Sequence, residues 1–378
     1  MSSLFPDPYI HIGGDEVTGK HWDANPRIRE FMRRHRFAAN GDLQAYFNRR
    51  VLEILQKHGK KMVGWDEILH PDLPRDIVVQ SWRGQKSLAE VAKKGYLGIL
   101  SSGYYLDHML SSSFHYAVDP YDTTVATLAP EEQARILGGE ACMWAEFVTP
   151  ENIDSRIWPR LGAVAERLWS PVSVRDVQDM YRRLNVVSQR LEWLGITHQW
   201  SYRLMLQRLA DNSTIEPLEV LAEVVEPVKF YERLHTRVYT TEAPLNRLVD
   251  AVWPESWAAR RFGTLVDAFL ADSLRKRNVE AIQSWLMKWQ DNDETLQPLL
   301  SNSFLLAEVE PLSKDLSRVA SVGLRALAAL RAGERVGSVD RGQMTQLLEN
   351  AAKARAELTL VIIPSVRRLV EVASGESR

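Results

Sequence analysis

One cysteine in 378 residues excludes an internal disulfide framework, and Cys142 alone leaves the redox compartment open. Charge of either sign is also missing in excess: 47 basic residues stand against 49 acidic ones, a formal net charge of -2, with no long basic run. Binding to nucleic acid or to an anionic membrane therefore has no electrostatic basis. No stretch reaches the roughly 20 apolar residues that a membrane span needs. The amino terminus, Met1 to Pro8, lacks the basic region and apolar core of a signal peptide. The compartment stays undecided on that ground: cytoplasmic as written, exported if the terminus is truncated. Disorder is not expected, because 45% of the residues are hydrophobic and 25% charged.

What the chain has in quantity is tryptophan, twelve in all. An indole is a preferred platform for a sugar ring, and burial in a core is the competing reading for each one.

The first 200 residues alternate short apolar runs with helical patterns, as βα units around a parallel sheet do. Strands are expected at Tyr9–Ile12, Lys61–Trp65, Ile77–Trp82, Leu97–Ser101 and Ile136–Gly138. Leu43, Phe47, Val51, Ile54 and Leu55 repeat at helical spacing between the first two, and Leu88 to Lys94 forms a short helix closed by Gly95. Ile157–Leu168 and Val174–Leu194 read as helices, the second stopped by Gly195. From about residue 205 strand signals fade. Leu312, Leu316, Val319, Gly323, Leu327 and Leu330 keep the spacing of a buried helical stripe, and Asp211-Asn212-Ser213-Thr214 reads as a capping and turn cluster. The expected fold is α/β, a partial (β/α)8 TIM barrel of about five strands with a mostly helical carboxyl-terminal extension. The expected domains are residues 1–204 and 205–378.

Each expected strand is followed by acidic, aromatic or glycine residues, where a (β/α)8 barrel builds its active site. The most specific of these strings is His11-Ile12-Gly13-Gly14-Asp15-Glu16. Adjacent side chains on a regular strand point to opposite faces, so two neighbouring carboxyls serve one site only if the backbone bends, and two glycines permit that bend. A bare Asp-Glu pair is far more often a surface loop. The six-residue string behind an apolar strand is not so easily explained.

In this string the sequence resembles glycoside hydrolase family 20, whose fourth barrel strand ends in it. The resemblance continues in the family's order through Gly64-Trp65-Asp66-Glu67, Gln80-Ser81-Trp82, Tyr105-Leu106-Asp107, the Gly138 to Glu146 segment containing Cys142 and Trp144, and Arg167-Leu168-Trp169. It implies a β-N-acetylhexosaminidase with a retaining, substrate-assisted mechanism, needing no metal and no cofactor. Glu16 would protonate the glycosidic oxygen and later deprotonate water. Asp15 would orient the substrate's 2-acetamido group, whose carbonyl oxygen attacks to form an oxazolinium. Tyr105 would hydrogen-bond the acetamido oxygen. Trp65 and Trp82 would wall the acetamido pocket, Trp144 would stack under the sugar, and Asp107 and Glu146 would accept hydrogen bonds from its hydroxyls. The implied partner is an amino-sugar glycoside.

The bland readings stand beside these. Asp66 and Glu67 read as a buried ion-pair element, Trp158 and Trp169 as core, His11 as a support for the loop, and Cys142 as a small apolar residue. The family's further pocket tryptophan has no counterpart between His108 and Met143, where Phe114 or Tyr116 could substitute. Three barrel strands that the resemblance places before the His11 strand are not in the sequence, nor is the sugar-clamping arginine of the first of them. An open barrel exposes unpaired backbone and apolar interior. A homo-oligomer completing the barrel, a separately encoded front half, or a truncated and weakly active product would each answer that problem. Two rival functions remain: an inactive sugar-binding module, and a metal-dependent hydrolase using His11, Asp15 and His21.

Overall fold

The computed structural model of the chain describes residues 1–211, 213–272 and 276–375. Five parallel strands form one sheet in sequence order: β1 (Tyr9–His11), β2 (Lys61–Trp65), β3 (Val78–Ser81), β4 (Leu97–Leu100) and β5 (Ile136–Gly139). β2 coincides with its expected range, β1, β4 and β5 differ by one residue at one end, and β3 is shorter by one at each end. Met62 and Val63 in β2 and Val78 and Val79 in β3 are buried, the unbroken apolar run of strands covered on both faces. The two outer strands are different. β1 leaves Tyr9 and His11 exposed, and Leu137 in β5 is pushed out by a register shift that pairs Gly98 with Ile136 but Ile99 with Gly138. The sheet is α/β in class and is not closed into a barrel; among the described residues β1 and β5 each pair on one side only.

By its contacts the chain separates into two compact units. The first comprises Met1–Tyr105, Ser113–Cys142 and Ala163–Val177; the second comprises Leu106–Ser112, Met143–Gly162 and everything from Gln178. The expected boundary at 204/205 falls inside the helix Ser201–Leu209, within the second unit.

In the first unit the helix Asn40–Lys57 precedes β2 and the helix Gln85–Lys93 precedes β4. Leu52 and Leu55 join Met62, Ile68, Ile77, Val79 and Val91 in the sheet's core. The apolar set noted in this first helix is split by the structure. Leu55 is buried, while Phe47 and Ile54 are exposed on another face. The helix expected over Ile157–Leu168 is two helices, Ile153–Ile157 and Arg160–Trp169, divided at Pro159, which cannot continue the hydrogen-bond ladder. Trp169, expected in the core, is the last residue of its helix and is 93% exposed. It lies about two residues beyond the buried Arg167, which places it roughly on the opposite side of the helix.

The second unit is mostly helical. Leu312, Leu316, Val319 and Leu327 are buried along the helix Glu310–Ala332, as their spacing predicts, and Leu330 packs beside them. Gly323 faces Leu286 of the helix Lys276–Asn302, where a Cβ would meet the leucine Cδ2 at 2.8 Å. Absence of a side chain is what lets these helices approach. A two-stranded antiparallel ribbon, β6 (Val225–Pro227) with β7 (Leu358–Leu360), is not expected from the sequence, because three-residue strands are too short to display a period of two. Of the Asp211 cluster, Asn212 lies outside the described residues, and Thr214 donates to Glu216 at the start of the helix Glu216–Ala222.

Two arginines with no exposed surface to speak of tie this unit together. Arg156 donates to the carbonyls of Val249, Asp250 and Val252 at 3.2, 2.7 and 2.6 Å, satisfying the end of the helix Leu248–Ala251. Arg160 donates to Leu106 O at 2.8 Å and Leu110 O at 2.9 Å. Burial pushes their guanidinium pKa values down to about 10 and about 9, which still leaves both charged at neutral pH. Replacing Arg156 by Met strips three buried carbonyls of their donors. It is expected to lower unfolding free energy by about 3–5 kcal/mol, read from the urea midpoint of the full chain.

Candidate active site

The candidate residues of the first unit sit at the carboxyl ends of the strands. At β1 the chain leaves the sheet by continuing the pairing for two residues: Ile12 N–H donates to Val63 O at 2.9 Å, and Gly13 O accepts from Trp65 N–H at 3.0 Å. Gly13 and Gly14 then take φ of +75° and +99°, the left-handed region that residues with a Cβ avoid. At Gly14 a Cβ would lie 2.5 Å from Ile68 Cγ2, so the turn needs glycine for space as well. Gln44 Nε2 donates to Gly14 O at 2.7 Å. Glu16 also has a positive φ, +52°, and its N–H points to Glu67 Oε1 at 3.5 Å. The bend asked for by two adjacent acids is therefore present, and both carboxyl-bearing residues are exposed to solvent.

His11 supports this turn, as its position suggested. Its Nδ1 accepts from Gly13 N–H at 3.0 Å, its ring meets Trp65 edge-on at 5.0 Å, and burial lowers its pKa despite Gln80 and Asp15 nearby. The imidazole is thus a neutral acceptor at its Nδ1. Among the described residues no group of three or more His, Cys, Asp or Glu side chains is disposed to hold a metal ion.

Asp66 and Glu67 do more than the sequence suggested. Buried Asp66 accepts from Trp82 N–H at 2.8 Å, Arg83 N–H at 3.0 Å and Ser87 Oγ at 2.6 Å, fastening the turn after β3. Glu67 accepts from the Trp82 indole N–H at 3.1 Å and from Arg83 at 2.9 Å while facing the Glu16 amide. One carboxylate so contacts both the Trp82 indole and the Glu16 backbone. Gln80, fully buried, donates to Ser101 Oγ at 3.1 Å and reaches Cys142 Sγ at 3.8 Å. Cys142 in turn bridges to Tyr105, which is also buried. Asp15, Glu16, Trp65, Trp82 and Tyr105 are accordingly drawn to one end of one sheet. The suggested substitute Tyr116 is not part of this group: its hydroxyl is committed to Glu166 at 2.7 Å and Val174 O at 3.1 Å, and its ring is buried. Phe114, the other substitute, is partly exposed on the helix Ser112–Ala117.

Asp107, Trp144 and Glu146 belong to the second unit, where they line one recess with Met109, Phe147, Val148, Phe230 and Tyr231. It holds about 10 Å³, room for roughly one water-sized group. Trp144 N–H donates to Asp107 Oδ1 at 3.4 Å, and no donor among the described residues closes on the buried Oδ2. Burial, with Glu146 adding repulsion, pushes the Asp107 carboxyl up to about 6 against the lowering pull of its own and the Trp144 backbone N–H and of the Tyr231 phenol. Phe230 and Tyr231 were not singled out in the sequence. Nothing in a lone aromatic pair far from the strand-end strings marks it.

Residues 1–172 match the model of the glycosyl hydrolase family 20 catalytic domain. Similar proteins include the beta-hexosaminidase subunit beta of Mus musculus, 36% identical over 211 residues, which are 53% of this chain and 39% of that protein. The beta-hexosaminidase of Porphyromonas gingivalis is 35% identical over 216 residues, 52% of this chain and 27% of that protein. A solved structure of Flavobacterium johnsoniae chitobiase superposes on 97% of this chain and 56% of its own, with a TM-score of 0.88 and 38% identity. The last match extends through the helical second unit, and the chain spans well under two thirds of each of these relatives.

A raised acid pKa costs stability where the unfolded chain would ionise. Asp107's contribution is favourable below pH 4 and is lost as pH rises from about 4 to about 6. Asp107→Asn is therefore expected to raise stability at pH 7 by about 1–2 kcal/mol, discounted for partial exposure, and to change it little at pH 4. Thermal unfolding at the two pH values checks this.

Proposed function

We propose that the chain is a β-N-acetylhexosaminidase that removes terminal non-reducing β-linked N-acetylglucosamine or N-acetylgalactosamine by retaining, substrate-assisted catalysis. The observation that carries the reading is the Asp15-Glu16 pair on its double-glycine turn, fastened by Val63, Trp65 and Gln44, with Glu67 holding the Trp82 indole beside it. The match of residues 1–172 to the family 20 catalytic-domain model supports it.

In this scheme Glu16 donates its proton to the glycosidic oxygen as the bond breaks, then takes one from the attacking water. The nucleophile is the substrate's 2-acetamido carbonyl oxygen, which departs from the two-carboxylate scheme of most glycosidases. Asp15 accepts the amide N–H and stabilises the positive charge that grows there. Tyr105 holds the acetamido oxygen in line for attack, between walls supplied by Trp65 and Trp82. Trp144 offers its exposed indole to the apolar sugar face, and Asp107 and Glu146 accept hydrogen bonds from sugar hydroxyls. The buried, donor-less Asp107 Oδ2 suits that role, because a ligand hydroxyl would satisfy it.

Glu16→Gln is expected to lower kcat on a chromogenic N-acetylglucosaminide by about 10²–10⁴-fold, while affinity for an acetamido-thiazoline stays within a few-fold. Asp15→Asn should cost about 10²–10³-fold. Turnover within a few-fold of the parent in that variant would sink substrate assistance.

The open sheet favours a second reading, a sugar-binding module with little or no turnover. Thiazoline binding by the parent chain without hydrolysis would select it. Exposed Tyr9, Phe47 and Ile54 in the first unit also fit a homo-oligomer that covers the open edge, and light scattering of the purified chain should then give a multiple of the monomer mass.

A further inference from the structure

The second unit spends several interactions on one short segment, Lys229 to Tyr231, directly after β6. Lys229 Nζ donates to Met109 O and Pro254 O, both at 2.8 Å, and to Glu226 at 2.6 Å. Phe230 adopts a φ of +53°, a left-handed conformation that a residue with a Cβ rarely takes, and its N–H donates to His108 O at 3.0 Å. Met109 is left-handed too, with φ of +56°. The His108 ring lies 5.1 Å from that of Phe230 and meets the Tyr231 ring edge-on at 4.8 Å. Strain and a largely buried ammonium group together clamp this segment onto the loop that carries Asp107, and both Phe230 and Tyr231 line the recess containing Asp107, Trp144 and Glu146. Backbone strain of this kind persists only where surrounding contacts enforce it.

We propose that Tyr231, which lies outside the family-matched residues, is a positioning residue for the sugar site: its phenol steadies the Asp107 carboxylate that receives a sugar hydroxyl, and with Phe230 it restricts the recess to one such hydroxyl. This rests on the amino-sugar reading above. The size of the recess agrees, since its volume of about 10 Å³ is that of roughly one water-sized group. The Tyr231 phenol also favours the ionised form of Asp107, the better acceptor. Facing Asp107 are Glu146, which opposes ionisation, and Arg160, which grips Leu106 and Leu110; His108 and Lys229 flank the loop.

The test is calorimetric titration of the full chain with N-acetylglucosamine from pH 4.5 to 8, in the parent, Tyr231→Phe and Asp107→Asn. The parent should lose affinity as pH falls through about 6. Tyr231→Phe should move that midpoint upward and weaken binding about tenfold near pH 6.5, the size of one hydrogen bond to a charged group. Asp107→Asn should abolish the midpoint. Parent binding with an unmoved midpoint in Tyr231→Phe, even if affinity drops uniformly, assigns the tyrosine a scaffold role and overturns the proposal alone. A midpoint that survives in Asp107→Asn overturns it as well. No binding by the parent at any pH overturns the amino-sugar reading and this proposal with it.

Discussion

Two carboxyls that are neighbours in sequence can meet one substrate only if the strand ends in a way most residues cannot follow. The turn after β1 lets the parallel pairing run on through Ile12 and Gly13, and left-handed Gly13 and Gly14 bend the backbone before the two acids. The rest of this end of the sheet is arranged around that bend. Ile68 packs where a Cβ of Gly14 would be, Gln44 takes up the carbonyl that the turn leaves over, and Glu67 from the next strand end faces the Glu16 amide. These contacts hold the backbone that carries the two exposed acids.

The same principle recurs at the other strand ends, with different chemistry. Asp66 replaces missing sheet partners by accepting two consecutive backbone N–H groups and the Ser87 hydroxyl, and Arg160 does the converse by donating to two loop carbonyls. In each case a buried charge is matched to several backbone dipoles. Such a charge resists replacement, since removing it leaves more than one polar group without a partner.

Much of this was legible in the sequence because the motifs lie at strand ends and glycine reports backbone conformation directly. The five strands read out within a residue, since buried parallel strands are simple apolar runs bounded by polar turns. What escaped had physical reasons. The contacts of Glu67, after β2, join it to groups from the ends of β1 and β3, which no local pattern encodes. The exposure of Trp169 follows from where Pro159 restarts the helix, so the twelve indoles could not be sorted by composition. The β6–β7 ribbon joins residues more than a hundred positions apart with three-residue strands. Tyr231 gave no signal for the same reason: its neighbours in space are its distant neighbours in sequence.

The clamp on Lys229 bears on how such a chain can be divided. Conventional domain excision follows the limit of the matched catalytic-domain model, here residue 172. A cut at that point would deliver the Asp107 loop without the ammonium that bonds to Met109 O and without the aromatic wall behind the carboxyl. The limit of the matched domain and the limit of a self-contained recess are then different places along the polypeptide, and exchanging the helical region between relatives would exchange two of the walls of that recess along with it.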